Sequence, residues 1–357
     1  MPIKFAILGD GAWGTAIGIL LAAHPDHRVA LWSARDENAQ ILRERRENVV
    51  YLPGVPITDA IELTTDIGQA LTGADLLIVA IPTVYMRQTL ERIAGAMGGM
   101  LSPPLQGAEK EPKAAAGAAK AWHPGVPVLS LAKGLEIGTF MRPTEIIRQT
   151  LEVHQLAALS GPSHAEEVSR GLPTSVVVAS TDAEVARWIQ DRLGGPRFRV
   201  YTNTDVVGVE LAGALKNIIG IAAGISDGLG FGDNAKAALL TRGLVEIARF
   251  GTALGARRET YYGLAGIGDL ITTCVGPHGR NRHVGERLAK GEKLTDIQAT
   301  MKMVAEGIYT TRSVHAKAAE MNIPMPITAE IFRVLYENKS PLAAVNDLML
   351  REPTGEK

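Results

Sequence analysis

An apolar strand, three closely spaced glycines and a helix start follow one another directly near the beginning of the chain. The segment reads FAILGDGAWGTA, in which Gly9, Gly11 and Gly14 have the spacing G-x-G-x-x-G. In a dinucleotide-binding βαβ unit the first glycine makes the tight turn, the second lets the backbone approach a pyrophosphate, and the third lets helix and strand pack closely. The N–H groups at the helix start then face the phosphates. The segment therefore predicts such a unit, with strands at residues 3–8 and 28–32.

The residues at the end of the second strand bear on which dinucleotide binds. A site selective for NAD usually has Asp or Glu about twenty residues beyond the glycines to bind the ribose 2′-hydroxyl, whereas an arginine there accommodates a 2′-phosphate. This chain has no carboxylate between Leu31 and Arg35. We therefore expect NADP(H) to be favoured, with NAD(H) also possible because Asp36 and Glu37 follow immediately. The alternative is that Arg35 is an ordinary solvated arginine in the first turn of a helix.

Composition excludes several other classes of protein. Of the 357 residues, 46% are hydrophobic and 21% are charged, the net charge is −1, and the basic residues are not gathered into runs. These values are typical of a globular enzyme and give no nucleic-acid footprint. A single cysteine, Cys274, is typical of a reducing compartment, and the first strand leaves no room for a signal peptide before it. We expect a cytoplasmic protein.

Strand and helix patterns alternate as far as about residue 201. Apolar runs at residues 76–81, 127–132 and 156–160 are separated by helical patterns, which indicates a parallel sheet with helices on both faces. The segment 98–125 interrupts this alternation with Gly-Gly, Pro-Pro and alanine-rich sequence. We interpret it as a surface insertion without a catalytic role.

Beyond residue 201 only helical patterns remain. The expected fold class is α/β, with an N-terminal Rossmann-like doubly wound sheet at residues 1–201 followed by an all-α domain at 202–357 that carries substrate and catalytic residues. The most apolar helix, around Gly220, is not expected to span a membrane, because Glu210 and Lys216 interrupt it well short of the roughly twenty residues required.

One face of that helix has the residue types expected of a reaction centre. Gly213, Lys216, Asn217 and Gly220 lie three or four residues apart and share a face. Interior glycines cost on the order of 1 kcal/mol each relative to alanine, so a glycine-lined face usually marks the close approach of a backbone or a ligand. Lys216 could donate a proton to a substrate carbonyl. The alternative is a lysine that extends to solvent at a domain interface.

Three loops have residues suited to an anionic ligand. Ala132-Lys133-Gly134 and the segment SGPSHA at residues 160–165 each follow a strand, at the edge where open α/β sheets bind ligands. Arg280 and Asn281 follow a glycine, an arrangement suited to a phosphate. The histidines lack neighbouring ligands at metal-binding spacing, so we predict no metal site.

Taken together, these motifs resemble those of the NAD(P)-dependent glycerol-3-phosphate dehydrogenase family, of the bacterial type. The quoted segments are GDGAWGTA, AKGLE, LSGPSHAEEV, ELAGALKNIIGIAAG, GLAGIGDLITTC, GRNRHVGERL and VAEG, in this order along nearly the whole chain. The resemblance implies reversible reduction of dihydroxyacetone phosphate, a small phosphorylated triose, to sn-glycerol 3-phosphate, a precursor of phospholipids. It also leads us to expect a homodimer.

The resemblance implies a role for individual residues. Lys216 would be the general acid in reduction and the base in oxidation, with Lys133 and Asp269 beside it. The substrate would be bound by Lys133, Gly161, Ser163, Lys216, Asp269, Arg280 and Asn281. The cofactor would be bound by Gly9, Gly11, Ala12, Trp13, Gly14, Arg35, Lys133, Ala165, Arg280, Val304 and Glu306.

Two departures from the family and two alternative functions stay open. Gly279 stands where the family usually has serine, which removes a possible hydroxyl contact to phosphate, and the segment 98–125 is longer than expected. A related two-domain dehydrogenase for another hydroxy acid or acyl substrate would share a catalytic lysine but not Arg280-Asn281. A non-catalytic NADPH-binding sensor would need neither Lys216 nor Asp269.

Overall fold

The structure is a computed structural model that describes residues 2–97, 123–352 and 355. Nearly all of the predicted insertion at 98–125 lies outside the described residues, so its interpretation stays a prediction. The strands within the described residues are β1 (Ile3–Leu8), β2 (His27–Trp32), β3 (Glu47–Asn48), β4 (Leu52–Pro56), β5 (Ile61–Thr64), β6 (Leu76–Val79), β7 (Val128–Ser130), β8 (Leu156–Ser160), β9 (Thr174–Ala179) and β10 (Phe198–Asn203).

Eight of these strands form one sheet in the order β10-β9-β8-β7-β6-β1-β2-β5. Neighbouring strands are parallel from β7 and β8 through to β2 and β5, and β9 and β10 are parallel to each other. Strands β3 and β4 make a separate antiparallel pair. The prediction of a largely parallel sheet is confirmed.

One pair within the sheet differs from the fully parallel arrangement that the alternation predicted. Strands β8 and β9 are antiparallel. The only helix between them is the four-residue segment Ala165–Val168, which is roughly 6 Å long and cannot carry the chain back along a strand of about 17 Å. A parallel crossover needs a longer helix, so the chain turns back and β9 runs in the opposite direction.

Helices cover the two faces of the sheet and form the rest of the molecule. They are α1 (Ala12–Ala22), α2 (Asp36–Arg45), α3 (Ile67–Leu71), α4 (Thr83–Met97), α5 (Pro143–Leu151), α6 (Ala165–Val168), α7 (Ala183–Leu193), α8 (Val206–Gly228), α9 (Asp233–Ala253), α10 (Asp269–Val275), α11 (Arg280–Ala289), α12 (Leu294–Thr300), α13 (Glu306–Glu320), α14 (Pro326–Tyr336) and α15 (Pro341–Met349). A 3₁₀ helix at Arg258–Tyr262 and a π-helix at Leu264–Gly268 precede α10.

Alternate residues of β1 enter separate hydrophobic cores. Phe5 and Ile7 belong to one core, and Ala6 and Leu8 to another, so both faces of the sheet are covered. This is the doubly wound arrangement that the sequence predicts. The predicted boundary at 201/202 falls inside β10, two residues before its end at Asn203, and it stays a prediction.

Helix α8 forms the centre of the helical region. It has the length and hydropathy of a membrane span, yet 94% of its most apolar 18-residue window is buried inside the protein. Among the elements of the described residues, α11 makes the most extensive contact with α8. The two helices approach closely there, since a Cβ added at Gly224 would lie 1.8 Å from the backbone oxygen of Arg282. The helix is therefore apolar because other helices surround it.

Candidate active site

The three N-terminal glycines occupy the turn that their spacing predicts. Gly9 has a φ of +112°, and a Cβ there would lie 2.8 Å from the backbone oxygen of Ala80. A Cβ on Gly14 would lie 2.0 Å from the oxygen of Gly9. A Cβ on Gly11, by contrast, would meet no described atom within 4 Å. Two glycines are thus required for packing, and the middle one borders open space.

This open space lies at the N-terminus of α1, which suits a dinucleotide pyrophosphate. Gly11 is the N-cap and no side chain caps the helix, so Ala12 and its neighbours keep free N–H groups. The indole Nε1 of Trp13 is buried without a hydrogen-bond partner among the described residues. Trp13 and Ala165 pack in one small cluster, which joins the glycine turn to the start of α6. The residues present therefore fit a nicotinamide dinucleotide at this position.

Arg35 lies at the other end of the same edge. It is the N-cap of α2, three residues beyond the end of β2, and it is exposed to solvent. Its guanidinium makes no hydrogen bond or ion pair with the described residues. Arg35 is therefore free to meet a ligand at the end of β2.

The centre of the site is a buried carboxylate shared by two lysines. Asp269, the first residue of α10, is 2% exposed. Its Oδ1 accepts a hydrogen bond from Lys216 Nζ at 2.7 Å, and its Oδ2 accepts one from Lys133 Nζ at 2.7 Å. Lys216 comes from α8 and Lys133 from the loop after β7, so the carboxylate joins the sheet to the helical region.

Their hydrogen bonds distinguish the two lysines. Lys133 Nζ donates to Asp269, to the backbone oxygen of Gly161 at 3.0 Å and to Ser163 Oγ at 3.3 Å. An ammonium group has three N–H donors, so those of Lys133 are all used. Lys216 Nζ donates to Asp269 and Thr273 Oγ1, which leaves its third N–H without a partner among the described residues. Lys216 therefore has a donor available for a ligand.

Burial and charge act in opposite directions on these groups. Burial, together with the charges of Lys216 and Arg280, lowers the pKa of Lys133 to about 8, against the opposing effect of Asp269. Burial alone would raise the pKa of Asp269, but the charges and hydrogen bonds of both lysines hold that pKa below its usual range. Asp269 is thus ionised at neutral pH and stabilises the positive charge of the lysines.

The glycine-lined face of α8 is required by side chains that pack against it. A Cβ on Gly213 would lie 2.7 Å from Ser160 Oγ and 3.6 Å from Lys133 Cγ, and one on Gly220 would lie 2.7 Å from Thr273 Cγ2. The close approach predicted at this face is therefore present, and it involves the residues that surround the lysines.

A chain of amide groups continues from α8 to α11 and α13. Asn217 Nδ2 donates to the backbone oxygen of Lys133 at 2.9 Å, and Asn281 Nδ2 donates to Asn217 Oδ1 at 2.9 Å. The Oδ1 of Asn281 accepts from the N–H of Gly307 at 2.9 Å. Asn281 is buried and most of its amide is engaged inside the protein, while one N–H has no partner among the described residues.

Arg280 and Glu306 lie together beside this chain. Arg280 is accessible to solvent and makes no hydrogen bond or ion pair with the described residues. Surrounding protein lowers its pKa, while the charges of Glu306 and Glu166 raise it. Glu306 Oε1 accepts a hydrogen bond from the N–H of Thr83 at 2.8 Å, and burial raises the pKa of Glu306. Val304 precedes Glu306 in the same segment. Arg280 is thus an unengaged cation in an open part of the site.

Gly279 is packed more tightly than the resemblance suggests. It is the N-cap of α11, and a Cβ there would lie 2.8 Å from the backbone oxygen of Thr273. The serine that the family usually has would therefore require the backbone around Thr273 to shift. Among the described residues there is no group of three or more His, Cys, Asp or Glu placed to hold a metal ion.

The structure brings the sequence-predicted residues together in two adjoining groups. The substrate group surrounds Asp269, and the cofactor group follows the sheet edge from Arg35 past the glycine turn and Trp13 to Glu306. Three residues of the site were not singled out from the sequence: Thr273, Thr83 and Asp10. They form hydrogen bonds with Lys216, Glu306 and Ser33, respectively. Single threonines and a turn aspartate carry no spacing signal, so only the fold could identify them.

Comparison with known proteins is consistent with this geometry. The sequence-family models described as NAD-dependent glycerol-3-phosphate dehydrogenase N-terminus and C-terminus match residues 4–186 and 205–346. Curated proteins named glycerol-3-phosphate dehydrogenase [NAD(P)+] from Prosthecochloris aestuarii and Moorella thermoacetica are 44% and 46% identical to this chain. The first match covers 98% of both chains, and the second covers 100% of this chain and 98% of the relative.

Solved structures give the same result. The glycerol-3-phosphate dehydrogenase of Coxiella burnetii is 35% identical and has a TM-score of 0.86, with 98% of this chain and 99% of that one covered. The Saccharomyces cerevisiae enzyme of the same name is 28% identical with a TM-score of 0.77, and the match covers 99% of this chain and 100% of that one. The chain therefore belongs to the NAD(P)-dependent glycerol-3-phosphate dehydrogenase family.

Proposed function

We propose that this protein reduces dihydroxyacetone phosphate to sn-glycerol 3-phosphate, reversibly, with Lys216 as the proton donor. The observation that carries the proposal is the third N–H of Lys216, which has no partner among the described residues while Asp269 and Thr273 hold the other two donors. Reduction of a ketone needs a hydride on carbon and a proton on oxygen, and an ammonium with a spare donor supplies the second.

The charges in the site favour a phosphorylated substrate. Lys133, Lys216 and Arg280 contribute three cations close to one another, and Asp269 compensates only part of that charge. Arg280 has no protein partner among the described residues, so its guanidinium is available for charge-assisted hydrogen bonds to phosphate oxygens. Asn281 would donate its remaining N–H there.

Each of the other residues has a definite task in this proposal. Asp269 orients Lys216 through the hydrogen bond to its Nζ, and Lys133 fixes the loop of Gly161 and Ser163 at the substrate pocket. The hydride would come from a reduced nicotinamide dinucleotide, whose pyrophosphate the glycine turn would hold. Lys216 gives its proton to the developing alkoxide, and in the oxidative direction the neutral amine accepts it back.

The finer assignments support a biosynthetic role. Arg35 favours NADP(H) as the cofactor because a free arginine at the end of β2 suits a 2′-phosphate, and NAD(H) is the second choice. The product is a precursor of phospholipids. The single cysteine favours a reducing compartment, so we place the protein in the cytoplasm. The homodimer stays a prediction, which sedimentation would test.

The test is an initial-rate assay of the purified protein. We expect dihydroxyacetone phosphate to cause oxidation of NADPH, and more slowly of NADH, with sn-glycerol 3-phosphate as the product. Unphosphorylated dihydroxyacetone and a 2-oxo acid serve as controls and should be poor substrates. A preference for the 2-oxo acid would contradict the proposal and favour a related dehydrogenase, and cofactor binding without turnover of any of them would favour a sensor.

A further inference from the structure

Asp10, between the first two glycines of the turn, places a carboxylate at the end of β2. Its Oδ2 accepts a hydrogen bond from Ser33 Oγ at 2.5 Å and another from the amide of Asn38. Ser33 is the first residue beyond β2, and Asn38 lies in the first turn of α2. The N-terminal turn and the β2–α2 loop are therefore joined through this one carboxylate.

The position matters because the end of β2 is where dinucleotide-binding sheets distinguish the two cofactors. In such folds a carboxylate there binds the ribose 2′-hydroxyl. The sequence has none between β2 and Arg35, but the structure supplies one from the preceding loop, a single hydrogen bond away from Ser33. Arg35 lies in the same loop, and Ser33 Oγ is also 3.0 Å from its backbone oxygen.

We propose that Asp10 is a specificity-determining residue that favours NADH, in opposition to Arg35. Its carboxylate would accept a hydrogen bond from a ribose 2′-hydroxyl and would repel a 2′-phosphate, whereas the Arg35 guanidinium attracts that phosphate. The balance of the two charges then sets how the protein divides its binding between the cofactors. The proposal rests on the proposed function only through the dinucleotide site and does not depend on the substrate.

The test measures dissociation constants, without any triose present. NADH and NADPH are titrated onto wild-type protein and Asp10→Asn, with cofactor fluorescence as the signal. Asparagine keeps the size of the side chain and an acceptor for Ser33 but removes the charge. We expect the ratio of the NADPH to the NADH dissociation constant to fall about fivefold or more, because NADPH loses a repulsion and NADH loses a charged acceptor. Arg35→Ala should move the same ratio in the opposite direction.

Asp191→Asn is the matched control. It removes the same charge from an exposed carboxylate that makes no hydrogen bond with the described residues. Asp191 lies in α7, which packs on β8, β9 and β10 at the other end of the sheet. An unchanged ratio in Asp10→Asn, or a parallel loss of affinity for both cofactors, would overturn the proposal, because Asp10 would then only order the loop. An equal shift in Asp191→Asn would also overturn it, as a general effect of charge.

Two further measurements keep the outcome interpretable. Asp10→Ala removes the charge by a different route, and its thermal midpoint beside that of Asp10→Asn shows whether either variant is folded. Wild-type protein that binds neither dinucleotide would contradict the cofactor site itself. Protein that binds both but does not turn over dihydroxyacetone phosphate would contradict the proposed reaction and leave this test decisive for Asp10.

Discussion

At the scale of single residues, the proposed chemistry depends on how donors and acceptors are matched around Asp269. Its two oxygens hold two ammonium groups, one with all donors used and one with a donor to spare. If the buried carboxylate held only one lysine, that lysine would have both to position the surrounding loop and to donate the proton. Here Lys133 is suited to the first task and Lys216 to the second.

The pKa of Lys133 leads to a prediction about pH. Burial lowers it to about 8, so Lys133 is mostly protonated at neutral pH and loses its charge as the pH rises through that value. The neutral amine attracts the phosphorylated substrate less and holds Asp269 less firmly. We therefore expect kcat/KM for reduction of dihydroxyacetone phosphate to fall above pH 8. The measurement is an initial-rate pH profile.

Lys133→Arg is the control for this profile, because a guanidinium stays charged over the whole range. The variant should lose activity overall but should show no decrease centred near pH 8. The same decrease in both proteins would show that another group is responsible for it.

Arg280 gives a second prediction at this scale. Its guanidinium has no partner among the described residues, so Arg280→Ala should lose charge-assisted hydrogen bonds worth roughly 1.5–3 kcal/mol. The KM for dihydroxyacetone phosphate should rise by about ten- to a hundredfold. Arg280→Lys, which keeps the charge but not the two-pronged geometry, should fall in between. Steady-state kinetics on dihydroxyacetone as well would decide the assignment, since an equal loss on this unphosphorylated substrate is incompatible with a phosphate contact.

At the scale of elements, α8 brings the site together because it has glycines where its neighbours approach. Gly213 faces Ser160, Gly220 faces Thr273, and Gly224 faces the backbone of α11. The spacing of Gly213 and Gly220 predicted this face from the sequence, but Gly224 was not part of that prediction. The sequence could not predict the partners, because contacts between α8 and residues more than fifty positions away depend on the tertiary fold.

Gly224→Ala should therefore destabilise the protein. The added methyl would lie 1.8 Å from the backbone oxygen of Arg282, and an oxygen of the main chain cannot move away without shifting α11. Overpacking of this kind costs about 1–3 kcal/mol. The thermal midpoint of unfolding should fall clearly.

The matched control is Gly95→Ala, which makes the same change inside a helix. Its added Cβ would meet no described atom within 4 Å. The variant should therefore leave the midpoint unchanged or raise it slightly, because alanine favours a helix over glycine by up to about 1 kcal/mol. If the two variants had equal midpoints, tight packing at Gly224 would not be a feature of the protein in solution.

The strongly patterned elements were predicted closely from the sequence. Strands β1 and β8 have the predicted limits, and the apolar helix predicted around Gly220 is α8. Helix α2 and the β3–β4 pair were not predicted, because α2 is largely polar and β3 has only two residues. The antiparallel turn from β8 to β9 was also missed, since it follows from the shortness of α6 and not from any residue pattern.

At the scale of the whole molecule, the site exists only where the sheet meets the helical region. Asp269 joins Lys133 to Lys216, and Glu306 from the start of α13 binds the N–H of Thr83 at the start of α4. Residues separated by more than two hundred positions thus share one hydrogen bond. Sequence motifs predicted which residues belong to the site, and that assignment stays a prediction; how those residues are arranged in space required the three-dimensional fold.

The central claim is that Lys216 donates the proton, and Lys216→Ala tests it most directly. The measurements are kcat for NADPH-dependent reduction of dihydroxyacetone phosphate and, on the same preparation, the dissociation constant of NADPH. A positioned general acid contributes about 10²–10⁴-fold, so kcat should fall by that factor while NADPH affinity stays nearly unchanged. A variant that retained more than about a tenth of the wild-type kcat would contradict the assignment of Lys216 as the proton donor.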